Sequence, residues 1–370
     1  MIILVPLLIL VVLAAVAIFG LSWFIASKLL MRKSNTPATN ITVIDVMPQT
    51  ITLTSNKNTQ RDGQFGLTEA GETGHAAIVG KILSSSSEAV TRELLANTGI
   101  AKNAQVAWNT NLYVGKLSTD LGLEIRDVAI AGPLGNLPAW YIPGKLPVWV
   151  VLVHGATATR TQTLRAAKTL ADLGLSLLVV SYRDDEGAPR SPGGLSCLGA
   201  AEWEDLEACV RYAREQGAQR VLLYGWSLGG MINLVFLQRS SYANQIQGVI
   251  LDSPILDWRS TLGALLKKNK LPVFFSPIVE QIVALRTGVA FADLNQLAQP
   301  APTIPVLLFH GTGDTTVPVA ISDAFAARSS VTYQRIEHAE HTQCWNTDAP
   351  TYEAALRTFL AHVIDGVPTQ

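Results

Sequence analysis

The sequence predicts an α/β protein in which a mostly parallel central sheet is flanked by helices, behind an N-terminal transmembrane helix. Three observations carry that reading. From about Leu123 onward, short apolar runs alternate with helical patterns. From Ile2 to Ser27 no side chain is charged. At about 1.5 Å per residue, such a helix exceeds the roughly 30 Å of a hydrocarbon core. Finally, "VLLYGWSLGGMINLVFL" passes from strand to helix with Ser227 between Gly225 and Gly229.

The apolar N-terminus comes first. A cleaved signal would show a basic region before a shorter apolar core. Here Lys28, Arg32 and Lys33 follow the run, so residues 1–33 read as a retained anchor. The same basic flank predicts a single pass with the catalytic domain on the cytoplasmic face. The other orientation stays open.

Residues 34–111 read as a linker, "SNTPATN", and a small extension packed on the main domain. "ITVIDV" and "TITLTS" alternate as strands do, and "QFGLTEAGETGHAAIVGKIL" reads as strands broken by glycine turns. "SSSSEAVTRELLAN" reads as a capped helix. This stretch shows no chemistry.

Residues 112–370 form the main domain. "LEIRDVAIAG" and "LPAWYIP" predict a hairpin. "PVWVVLVH" is apolar throughout, as a strand buried on both faces is. Strands "SLLVVSY", "RVLLYG", "IQGVILD", "IPVLLFHG" and "VTYQRIE" then alternate with helical segments, ending in "TYEAALRTFLAHVI". An apolar and basic insertion at about 258–298 sits where a lid over a site would lie. Phe274 and Phe275 are its candidate acyl-lining residues, with packing on the sheet as the alternative.

Composition bounds the function. Charged residues make up 15% of the 370 residues, against about 25% in ordinary soluble domains. The net charge of −1 gives no bulk attraction for nucleic acid. Cys197, Cys209 and Cys344 show neither pairing nor metal-ligand spacing and read as isolated thiols.

The chemistry gathers at strand ends. In an open parallel sheet, reactive groups lie beyond the carboxyl ends of the strands. A serine on a tight strand-to-helix turn is lifted toward substrate, and small neighbours let strand and helix approach. G-x-S-x-G alone is weak; its strand–turn–helix context raises it. A nucleophilic serine needs a base, and the base an orienting acid, in that chain order for this fold. Asp314, in "FHGTGDTTVP", is the candidate acid, with Asp252 of "ILDSP" as alternative. His341, further out on the last loop than His338, is the candidate base. The backbone N–H of Leu228, with that of Ala156 or Thr157 after "VWVVLVHG", would form the oxyanion hole. His154 and His310 end other strands and read as structural, while His75 and His362 carry no motif.

With "VLVHG", "YGWSLGG", "LDSP", "FHGTGDTTVP" and "EHAEH…WN" in this order, the chain resembles the α/β-hydrolase superfamily from about Arg126 to Ile364. Within it, the chain looks similar to membrane-anchored bacterial hydrolases of the serine aminopeptidase and acyl-hydrolase-like group. The resemblance implies a serine hydrolase using Ser227, Asp314 and His341 on a small-molecule or acylated substrate, with no cofactor and no metal. "SYRDDEGAPRSPGG" departs from the glycine-rich loop of that group; Arg183, Asp184 and Asp185 either shape the pocket or form a charged loop. The expected reaction is cleavage of a carboxylic ester or thioester through an acyl-enzyme. A peptidase or amidase with the same triad, and a non-catalytic binding protein on the same fold, are the alternatives.

Overall fold

The computed structural model describes residues 4–31, 38–71, 74–114, 121–328 and 331–365. Arg32, Lys33 and most of the "SNTPATN" linker lie outside them. Helix α1 (Leu4–Leu30) is followed by six strands: β1 (Ile41–Met47), β2 (Thr50–Thr54), β3 (Phe65–Glu69), β4 (Ala76–Ser85), β5 (Ala89–Asn97) and β6 (Gln105–Asn109). They close into an antiparallel barrel in the order β1-β2-β5-β4-β3-β6. Ile41, Val43, Ile51, Leu53, Phe65, Leu67, Val79 and Val106 fill it.

The barrel corrects one expectation. "SSSSEAVTRELLAN" is not a capped helix. Its serines finish β4 and turn at Ser86, whose N–H bonds Ala89 O at 2.8 Å, and the remainder is β5. Val90 and Arg92 point into the barrel while Thr91 and Glu93 do not, a period of two. Pairing with β2 on one side and β4 on the other outweighs the helical preference of a short polar segment.

The second sheet runs β14-β13-β12-β11-β9-β10-β8-β7. Its strands are β7 (Arg126–Gly132), β8 (Gly135–Ile142), β9 (Val148–Val153), β10 (Ser176–Val180), β11 (Arg220–Trp226), β12 (Ile246–Asp252), β13 (Val306–Gly311) and β14 (Val331–Ile336). From β10 to β14 all neighbours are parallel; β7 and β8 form an antiparallel hairpin at the other edge. All six residues of β9 are buried. Trp149, Val151 and Val153 face the layer holding α3 (Trp203–Glu215), α4 (Leu228–Arg239) and α7 (Val319–Ala326). Val148, Val150 and Leu152 face the layer holding α2 (Leu164–Asp172) and α9 (Ala349–Asp365). The alternation of a strand thus feeds two cores, which is why this run is apolar throughout.

Between β12 and β13 the insertion folds into a cap whose helices are α5 (Trp258–Lys268) and α6 (Ser276–Thr287). Asp257 caps α5 by accepting from the N–H groups of Arg259 and Ser260. The second half of α1 packs along α6. Ser22, Ala26 and Leu30, spaced by four, are fully buried, and Arg286 of α6 bonds Ser27 Oγ at 2.7 Å and lies over the Trp23 ring. The short helix α8 (Cys344–Thr347) precedes α9.

Candidate active site

Ser227 sits at the junction of β11 and α4 with φ +52° and ψ −114°. A non-glycine residue there is strained. The glycines around it are required by contact. A Cβ on Gly229 would lie 2.0 Å from Val153 O, and one on Gly225 would lie 2.4 Å from the Gly229 carbonyl. The helix could not otherwise approach the sheet this closely. The strained turn points Ser227 Oγ at the loop after β14, where it meets His341 Nε2 at 2.9 Å. His341 Nδ1 lies 2.7 Å from Asp314 Oδ2. The structure therefore brings Ser227, His341 and Asp314 together.

Asp314 is held on all sides. Its Oδ1 accepts from the backbone N–H of Thr316 and Val317 at 2.7 and 2.9 Å. Its Oδ2 is shared by His341 and by His310 Nε2 at 3.1 Å. Burial pushes this carboxyl upward, but the imidazoles of His341 and His310 prevail and hold it well below the ordinary carboxylate range.

The alternatives are elsewhere. Asp252 is fully buried and accepts from Ser253 Oγ and Tyr352 OH at 2.9 and 3.0 Å. Its pKa is raised by burial, against the opposing charge of Arg165. His338 is exposed, with φ +61°. The extra residues to His341 carry the imidazole back over the sheet.

Ser227, Leu228, His341, Gly155, Ala156 and Thr157 line one cleft of about 1080 Å³. The N–H of Leu228, the first residue of α4, has no acceptor within the helix. The α4 N-terminus places positive dipole beside Ser227. The loop carrying Ala156 is fixed from behind, because Gly155 N–H donates to Gln162 Oε1 at 2.8 Å.

Several contacts had no sequence signal. Gln162 also reaches Thr342 Oγ1, and Ser253 Oγ accepts from Thr342 N–H at 3.0 Å. Arg165 donates to Thr342 O and to Asn346 Oδ1. Together they clamp the His341 loop from two other strand ends. His310 reads as structural in sequence, and it is held by Ser322 Oγ and Val317 O at 2.7 and 3.1 Å; its contact with Asp314 had no sequence signal. His154 matches its structural reading, bonded between Gly155 O and Asp185 Oδ2 at 2.9 Å each. His75 lies in the barrel region, 2.9 Å from Glu69 Oε2, and His362 lies on α9. Arg183 is buried in a salt bridge with Asp205, and Asp184 accepts from Ser191. None of Arg183, Asp184 and Asp185 lines the cleft. Phe274 is exposed and Phe275 is buried, and neither lines it. The cap lines the cleft with Trp258, Leu262, Leu265, Leu266 and Leu271 instead. The three cysteines are unpaired; burial pushes the Cys197 thiol up to about 11, which leaves it poorly nucleophilic.

A family model described as an alpha/beta hydrolase family matches residues 150–356, more than half of the chain. The chain belongs to the α/β-hydrolase family. Within this hydrolase, a second model, a domain of unknown function (DUF8805), matches residues 42–109, the span of the barrel. The uncharacterized protein YqkD of Bacillus subtilis is 24% identical over 230 residues, covering 60% of this chain and 74% of that protein. YfhR of Salmonella typhimurium is 26% identical over 221 residues, covering 54% and 68%. Among solved structures, the esterase Pf2001 of Pyrococcus furiosus superposes with a TM-score of 0.53 at 21% identity, over 66% of this chain and 93% of its own. That likeness establishes the fold, which is the one the sequence motifs imply.

Proposed function

We propose that this α/β hydrolase is a membrane-anchored serine hydrolase that cleaves a carboxylic ester or thioester, with residues 112–370 as the catalytic unit. The observation that carries the reading is the unbroken relay from Asp314 through His341 to Ser227 at 2.7 and 2.9 Å. Ser227 Oγ attacks the carbonyl carbon, and His341 Nε2 takes its proton. The negative oxygen that forms is met by the N–H of Leu228 and that of Ala156 or Thr157. His341 returns the proton to the leaving alcohol or thiol. A water molecule, deprotonated by His341, then releases the acid and restores Ser227. Asp314 keeps the Nδ1 proton in place and stabilises the imidazolium.

The anchor reading is supported by α1. Its stretch Leu7–Leu30 is long and apolar enough to cross a membrane, while its last turns pack into the hydrolase core through Ala26 and Leu30. Removal of the helix would uncover that core, which favours retention over cleavage as a signal. Fluorophosphonate labelling followed by turnover of p-nitrophenyl esters of increasing chain length tests the function. Wild type should label and turn over esters, and Ser227→Ala should do neither. Labelling of the alanine variant would remove Ser227 from its role.

A further inference from the structure

We propose that the substrate is the acyl ester of a membrane-resident amphiphile, which enters the cleft sideways from the bilayer along helix α1. The proposal rests on the serine-hydrolase and anchor readings above. The juxtaposition that carries it is a cleft with Ser227 and His341 at its floor and the transmembrane candidate as one wall. Phe24, Ile25, Lys28 and Leu29 of α1 line the same cavity as the two reacting side chains. Their spacing places them on one side of the helix, next to the stripe of Ser22, Ala26 and Leu30 that holds α1 to the cap.

Depth follows from length. The span Leu7–Leu30 has 24 residues, about 36 Å of helix. Among the described side chains of α1, Leu7 to Ala17 are exposed and contact with the protein begins at Ile18. The helix starts at Leu4, and Leu4 to Ala17 cover about 21 Å, less than a hydrocarbon core near 30 Å. In the proposed placement the part of α1 that packs beside α6 completes the crossing. Phe24 and Ile25 then lie below the headgroup level, and the cleft they wall opens at leaflet depth. The charges agree with this placement. Lys28 is the first charged residue after the apolar run, and its Nζ lies 5.5 Å from the Phe24 ring centre. It marks the headgroup level from the rim of the cleft. The cap presents Lys267, Lys268 and Lys270 just before the exposed Val273 and Phe274, and Leu285 is 81% exposed on α6. Basic residues beside exposed apolar ones suit an interface with an anionic membrane.

The cap adds apolar residues to the lining. Leu262, Leu265, Leu266 and Leu271 of the cap face the cavity. Polar residues such as Asn109, Asn111, Thr157 and Thr161 also line this cleft of about 1080 Å³, so the part that suits a long acyl chain is the side walled by α1 and the cap leucines. A chain lying along Phe24, Ile25 and Leu29 would leave the bilayer without crossing water.

The test uses the full chain in phosphatidylglycerol-containing nanodiscs. The readout is the ratio of kcat/KM for 4-nitrophenyl palmitate dissolved in the disc to that for 4-nitrophenyl acetate in water. Ile25→Trp, which narrows the α1 side, should lower the ratio by about 10-fold or more. Leu10→Trp, on the free part of the helix, should leave it where it is. A ratio unchanged by Ile25→Trp overturns the proposal, and so does a wild type that hydrolyses acetate but not palmitate; the hydrolase reading survives both. A wild type that hydrolyses neither ester and takes no fluorophosphonate brings down the hydrolase reading itself. Should Ile25→Trp not fold, a diazirine-bearing palmitoyl phospholipid decides the matter on wild type. Labels on Leu262–Leu271 that vanish after hexadecyl fluorophosphonate treatment support entry from the bilayer, and labels confined to Leu7–Ala17 exclude it.

Discussion

His310 and His341 approach the same oxygen of Asp314: His310 Nε2 lies 3.1 Å and His341 Nδ1 2.7 Å from Oδ2. His310 is fully buried, and its Nδ1 meets Ser322 Oγ at 2.7 Å. It steadies the carboxylate from the side away from Ser227. His310→Phe keeps the ring shape and removes the donor. It should destabilise the protein by about 1–3 kcal/mol through unpaired buried groups. It should also lower kcat by on the order of 10-fold, far less than loss of Asp314. Urea unfolding and p-nitrophenyl ester kinetics measure both effects. A variant with native stability and native kcat would show that the contact does nothing.

Asp314→Asn should keep the fold and lower kcat by about 10⁴, the figure for the corresponding change in a serine protease. Asp252→Asn should weaken packing beneath Tyr352 and leave fluorophosphonate labelling intact. If Asp252→Asn abolishes labelling while Asp314→Asn labels normally, the acid is Asp252.

The depressed pKa of Asp314 also makes a stability prediction. Its folded value lies below the unfolded value of about 3.9. The stability it contributes is therefore full above the unfolded value and is lost as pH falls through the lower folded value. At pH 7, Asp314→Asn should melt below wild type. Below about pH 4 that gap should narrow steadily as pH falls toward 2. A gap that stays constant across this range would mean that the carboxylate charge contributes no stability.

His341→Ala should nearly match Ser227→Ala in kcat, because members of such a relay act as a unit. His338→Ala, on an exposed turn, should keep most of the activity. The reverse order in ester kinetics would transfer the role of base to His338.

Strand ends were readable in the sequence because chemistry and topology coincide there. Ser227 and Asp314 each follow an apolar run that must be a buried strand, and the loop after β14 follows a half-exposed edge strand recognisable by its place in the alternation. The backbone contact that demands Gly225 is a local consequence of one turn, while the one that demands Gly229 is with Val153 of the neighbouring strand β9. By contrast, Gln162, Arg165 and Ser253 matter only because of partners far away in sequence, such as Thr342. No local pattern distinguishes them from ordinary polar residues. β5 reads as a helix for the same reason. Its identity is set by two neighbouring strands, while its own residues suit a helix. The contact between α1 and the cleft is a third case: hydropathy predicts a span and says nothing of which helical face meets the cap.

The buried Arg92 carries the last prediction. Its guanidinium donates to the carbonyls of Thr59, Arg61, Gly63 and Gly80 at the end of the barrel. Burial lowers its pKa to about 10, with Asp62 opposing, so it stays charged at pH 7. The loop it holds is also the barrel's dock on the hydrolase unit. Arg61 bonds Glu340 and Gln343 at 2.7 and 3.0 Å, the residues on either side of His341 and Thr342. A Cβ at Gly63 would meet Asn346 O at 2.2 Å, and Gln64 N–H donates to that same oxygen at 2.8 Å. Arg92→Met would leave four carbonyls without their donor in a space that water cannot easily fill. We expect a loss of at least about 3 kcal/mol in the barrel. Slackening of the 340–346 segment should then lower kcat while the ester KM changes little. Hydrogen exchange should rise in β4, β5 and residues 340–346 together. Faster exchange confined to the barrel, with kcat unchanged, would show that the barrel and the His341 loop are mechanically independent.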